Sequence, residues 1–164
     1  MNIIKPQKMN LEKFQEIKLV DIRNDEEIEY ANIENEESNN LLLQDTQFEH
    51  CKISNIVMQN AELDKITFSD VIFKNCDFSN TNFINSTFIR CEFNNCKLSG
   101  TSFSENRLFN VIFSETNANY INLSMASLEK VLFKEMQMRN SYFQETKLKD
   151  IFFEDVDLTR CAIF

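Results

Sequence analysis

Residues 66–90 read ITFSD VIFKN CDFSN TNFIN STFIR. Set in fives, the third place of every group is a phenylalanine: Phe68, Phe73, Phe78, Phe83 and Phe88. The first place holds Ile66, Val71, Cys76, Thr81 and Ser86, all small or β-branched. The same frame runs outward in both directions. From Leu43 to Ile163 every fifth residue is apolar, 25 positions in a row that take up 12 of the 16 Phe. All 28 charged residues between Leu41 and Phe164 fall on the other three places. Charged residues make up 26% of the chain, so chance does not empty two columns of five.

A period of five matches neither a helix at 3.6 nor a strand at 2. It reads as a short extended piece with two inward side chains flanking an outward one, followed by a corner. A corner every five residues closes a coil after a few pieces. The coils then stack and bury columns of Phe and Leu, because no coil can bury its apolar side alone.

The groups Cys76-Asp77-Phe78-Ser79-Asn80, Thr81-Asn82-Phe83-Ile84-Asn85, Ala126-Ser127-Leu128 and Val156-Asp157-Leu158 resemble the pentapeptide-repeat family, whose unit is a small residue, Asp or Asn, Leu or Phe, and two variable residues. The resemblance covers about three quarters of the chain. It implies an all-β fold, a right-handed quadrilateral β-helix of four units per coil, with about six coils over residues 41–164. At the ~4.8 Å spacing of paired strands the rod would be about 30 Å long. It also implies corners built without glycine, in keeping with a single Gly in the chain. Asn or Asp fills half of the places two after the core residue, where turn chemistry is needed.

Residues 1–40 read as an acidic cap segment. Asn10 is placed to cap a short helix near 10–19 that carries Leu11, Phe14 and Ile17 on one face. The repeat frame continues faintly through Ile28, Ala31 and Ile33, but Glu26, Glu36 and Ser38 break it. A cap with one or two degenerate repeats would blunt the exposed sheet edge; the alternative is a disordered acidic arm. Five of the nine net negative charges lie in these forty residues, so the rod itself is only mildly acidic. That balance argues against direct nucleic-acid binding, which draws on Lys and Arg. No apolar run reaches the length of a membrane helix, and the N-terminus lacks a signal-peptide core. The expectation is a cytoplasmic protein.

No catalytic constellation emerges. Cys51, Cys76, Cys91, Cys96 and Cys161 all stand in the small inward column at no zinc spacing, and read as buried small hydrophobes. His50, the only histidine, sits at a corner beside Glu49 and reads as solvent-facing. With Gly100 alone no phosphate-binding glycine loop is possible. No enzyme activity, metal or cofactor is expected.

With 20 residues per coil, one outward column reads Lys52, Ile72, Glu92, Ile112, Leu132, Phe152. Its apolar members Ile72, Ile112, Leu132 and Phe152 form a candidate interaction stripe, joined by Ile89 and Phe109 in another column. The N-terminal helix is the first candidate to cover it, ahead of a dimer contact or a partner protein. The chain ends Ala162-Ile163-Phe164 without a polar cap. The last coil would then expose Phe143, Leu148, Phe153, Leu158, Ile163 and Phe164, and two-fold pairing there would make a homodimer. Function reads as a non-enzymatic protein-interaction solenoid whose partner the sequence does not name. The alternative, implied by the resemblance, is a DNA-mimicking protein that binds DNA gyrase, as quinolone-resistance members of the family do.

Overall fold

The computed structural model describes residues 2–9 and 11–163. Three-residue strands such as Ile72–Lys74 and Glu92–Asn94 run parallel, each paired with the strand 20 residues on. Phe73 stands opposite Phe93, and Phe93 opposite Phe113. Between strands the chain turns at the residue two after each core residue. From Asp25 to Arg160 every fifth residue has positive φ, between 50° and 62° at the 27 non-glycine positions and 70° at Gly100. Four corners per coil make seven coils rather than about six, because in-register pairing begins at Glu27, opposite Gln47.

The corners explain the near absence of glycine and the abundance of Asn and Asp. Left-handed backbone costs an ordinary L-residue about 1–2 kcal/mol, and short polar side chains reduce that cost by bonding locally. Asn35, Asn55, Asn75 and Asn95 share one corner column, where each side-chain amide donates to the one before it at 2.9–3.1 Å. Met125 occupies such a corner at φ 59° with its side chain exposed. Met125→Asn should therefore raise stability by about 0.5–1 kcal/mol in urea unfolding; an unchanged midpoint would contradict the strain argument.

The core is a set of aromatic stacks. Phe73, Phe93, Phe113, Phe133 and Phe153 lie face to face with centroids 4.4–5.3 Å apart and planes within 11°. Neighbouring stacks meet edge-on, as at Phe83 and Phe88. The small column has a chemical role beyond its size. Thr81 and Thr101 hydroxyls, the Asn106 amide and the Cys51, Cys76 and Cys91 thiols each donate to a core-residue carbonyl 23 positions back. Cys, Thr, Ser and Asn interchange there because each is a compact donor with a core carbonyl in reach, so burial leaves its polar atom partnered.

The N-terminal segment is a cap, but not a helical one. Residues Leu11–Lys13 and Leu19–Asp21 form single 3-10 turns, and Gln15–Glu16 pairs as a parallel strand with Ala31 and Asn32. The expected helix near 10–19 loses because so short a helix is marginal alone, while the first coil offers an unpaired strand edge. Asn10 lies outside the described residues. Leu19 and Ile22 plug the end of the core. The two glutamates that break the repeat frame fasten this plug: Glu36 accepts from the Leu19 N–H at 2.8 Å and Glu26 from the Arg23 N–H at 2.9 Å. An inward place can hold an acid only in the first coil, where the side chain can turn toward the chain above it. No helix among the described residues is long and apolar enough to cross a membrane.

Candidate interaction surface

One corner column runs Tyr30, His50, Asp70, Arg90, Asn110. Ahead of the cap, residues 2–9 lie along it as a strap without regular secondary structure. Three contacts fix the path. The Gln7 N–H donates to Asp70 Oδ1 at 2.8 Å, the Ile4 N–H donates to Asn110 Oδ1 at 3.1 Å, and Lys5 Nζ lies 3.8 Å from Glu92. At the near end the Phe14 ring meets the edge of Tyr30, and Lys52 lies over Phe14. The strap thus climbs from the first coil to the fifth.

Beneath it lies a buried polar row. Asp70 has no exposed surface, and its two oxygens take the Arg90 fork at 2.8 and 2.6 Å. Burial alone would raise the Asp70 carboxyl, but the Arg90 hydrogen bonds, the Gln7 amide and the charges of Arg90 and His50 outweigh it and hold it below the ordinary carboxylate range. Arg90 is raised in turn, first by its bond to Asp70. His50 is not solvent-facing as its corner position suggests: its ring stacks on Tyr30 with centroids 5.0 Å apart, and its side chain is 16% exposed. Its Nε2 is 3.5 Å from Glu49. Glu49, His50 and Asp70 lie close enough together to face one cation, but Asp70 is already neutralised by Arg90, so the cluster reads as an ion-pair network.

The expected stripe is one column in the structure, with Ile72 and Ile112 each paired to Glu92 and Leu132 to Phe152. Its members differ in cover. Ile112 is buried beside the strap's anchor at Asn110, Ile72 and Leu132 are half-buried, and Phe152 is exposed. Ile89 and Phe109 flank the corner on its other side and are half-buried. The cover expected from a helix is an extended strap instead, and it stops short of Leu132 and Phe152.

At the other end, the strand Lys147–Asp157 pairs only inward, with Ser127–Gln137. Leu148, Phe153 and Ile163 are 46%, 41% and 55% exposed, and Leu158 is half-buried. Phe143 departs from the expected exposed set. It is buried, because the final turn of chain covers it and its N–H donates to the Ala162 carbonyl. Phe164 lies outside the described residues.

All five cysteines are free, and four are fully buried. Burial pushes the Cys51 and Cys91 thiols up to about 11 and about 12, so neither is a nucleophile near neutrality. The strap was not legible beforehand, since eight residues without periodicity carry no placement signal. The opposite charges of Asp70 and Arg90 at a 20-residue offset were the one available clue.

The sequence matches two family descriptions, "Pentapeptide repeat region" over residues 86–163 and "Pentapeptide repeats (8 copies)" over residues 42–80 and 63–105. No curated protein matches it. Among solved structures it is similar to HetL, a pentapeptide repeat protein involved in heterocyst differentiation regulation from the cyanobacterium Nostoc sp. strain PCC 7120. That likeness has a TM-score of 0.63 at 10% identity over 85% of this chain and 86% of HetL. QnrB1, a plasmid-mediated fluoroquinolone resistance protein, aligns at 18% identity over 83% of this chain and 84% of its own, with a TM-score of 0.41. The repeat matches span the coil from its second turn to its last, and the 20-residue register and left-handed corners carry them in three dimensions: the chain belongs to the pentapeptide-repeat family.

Proposed function

We propose that the chain is a non-enzymatic protein-interaction solenoid that works as a homodimer joined through its C-terminal coils. The observation that carries this reading is the last coil. Leu148, Phe152, Phe153 and Ile163 leave apolar surface on an unpaired strand edge, a combination that monomeric proteins blunt. Two-fold pairing covers both the edge and the rings with one surface. The strand is suited to meet itself, with Lys147 toward one end and Asp155 toward the other, so a two-fold axis brings base to acid. Five free thiols agree with a reducing compartment such as the cytoplasm.

Sedimentation of the full chain at micromolar concentration should give twice the chain mass, and Phe153→Glu should give a single chain that keeps its β signature. A wild-type monomer at high micromolar concentration would reject the dimer.

A second reading, a DNA-like ligand of DNA gyrase, is favoured by one feature. Glu115, Glu135 and Asp155 follow one another in a single corner column, a short acidic row at coil spacing. It ranks second because Lys134 lies 3.5 Å from Glu135 and interrupts the row. A gyrase supercoiling assay with and without a fluoroquinolone decides it. Inhibition or protection by micromolar protein is the supporting result, and neither effect removes the reading.

A further inference from the structure

The strap contact has a defect on the solenoid side. Asn110 is almost wholly buried, and its Oδ1 is used by the Ile4 N–H, yet its Nδ2 donor has no partner. A buried donor left unpaired loses its hydrogen bonds to water and gains none in return. A peptide backbone can satisfy both atoms of an asparagine side chain, N–H to Oδ1 and C=O to Nδ2. The strap does only the first. The rest of the groove is built to receive a backbone as well. Asp70 presents a fixed acceptor to the Gln7 N–H, Glu92 faces a lysine, and Ile72 and Ile112 stand on either side of Glu92 in the adjoining column.

We infer that this corner groove is a docking site for an extended, basic peptide segment of a partner protein, and that the N-terminal strap occupies it as an intramolecular competitor. The inference rests on the interaction-solenoid reading. The partner segment presents two backbone N–H groups three residues apart, a lysine or arginine between them to meet Glu92, and a carbonyl that reaches Asn110 Nδ2. The strap is a mimic lacking that last bond, so a better-fitted segment displaces it. Displacement frees the strap without unwinding any coil, because its two amide bonds are to side chains rather than to a strand edge.

The test uses a synthetic peptide of residues 2–9, NIIKPQKM, added to the full-length protein. In the variant carrying Ile4→Pro and Gln7→Pro the strap loses both anchoring N–H groups while the groove stays intact. The Asn110 side-chain amide, followed by NMR in nitrogen-labelled protein, should then shift saturably with peptide. A strap bound in cis about nine-tenths of the time weakens peptide binding about tenfold, so wild-type protein should need about ten times more. Gln7→Pro alone should fall between the two. A peptide methylated on its Gln7 nitrogen should lose the saturable shift, a control that leaves the protein's folding untouched. Equal binding by wild type and the open variant, equal binding of the methylated peptide, or no saturable shift at several millimolar peptide would each overturn the inference. Because the probe is the strap itself, any of these results leaves the solenoid's wider role in binding proteins standing.

Discussion

Phe93→Ala should lower the unfolding free energy by about 3–5 kcal/mol. Phe93 is completely buried, and its ring lies 4.4 Å from Phe73 and 4.8 Å from Phe113, centroid to centroid. It also meets Phe103 edge-on. Truncation removes these contacts and leaves a cavity that strand pairing above and below holds open, since Glu92 and Asn94 are fixed by both neighbouring coils. Total stability for a domain of this size is about 5–15 kcal/mol, so the loss is a large share of it. The defect sits in the middle of a stack whose units touch only their neighbours, so the urea transition should also broaden as the two halves uncouple. Phe153 supplies the internal control. It belongs to the same stack, but it stands in the outermost coil and its side chain is 41% exposed. At concentrations low enough to keep the chain monomeric, Phe153→Ala should cost about 1 kcal/mol. Equal losses at the two positions would show that stacking position is not what sets the energy.

Asp70→Asn is the second large effect, at about 3 kcal/mol near neutral pH. The substitution keeps the shape but removes the charge that Arg90 answers in a fully buried position, and it weakens the acceptor of the Gln7 N–H. The sign of the pH dependence follows from the depressed carboxyl. A group whose folded value lies below its unfolded value of about 3.9 stabilises the fold fully above that value. The contribution is lost as pH falls through the lower, folded value. Wild type should therefore lose stability on acidification more steeply than Asp70→Asn, and the two should converge at low pH. Other depressed carboxyls, Asp77 among them, titrate in both proteins and cancel in the comparison. Parallel curves down to acid pH would mean that the Asp70–Arg90 pair does not contribute as charged groups.

Asp70 and Phe93 also mark where sequence reading reached and where it stopped. Phe93 was legible because it sits in an unbroken period, an inward place repeated 25 times that takes up 12 of the 16 Phe. Asp70 reads as an ordinary turn residue, which it is by backbone. What buries it is a strap more than sixty residues away in the chain. The stripe of Ile72, Ile112, Leu132 and Phe152 could be aligned from a 20-residue offset, whereas its graded cover depends on how far up the rod the strap reaches. The helix expected near 10–19 failed for a related reason. Local spacing of Phe14 and Ile17 fits a helix, but the open edge of the first coil gives Gln15 and Glu16 between them a strand partner.

The period, the inward columns, the corner places and hence the stacked coil are all written in the order of residues, because each is enforced by neighbours at fixed offsets of five and twenty. Tertiary structure decided what happens where the period ends. It made the cap extended rather than helical and turned Glu26 and Glu36 from breaks in the pattern into fasteners. It also buried Asp70 and Asn110 under the strap and left the last coil open. At those places the partners come from non-repeating chain, and their positions depend on which edges and donors the finished rod leaves unsatisfied.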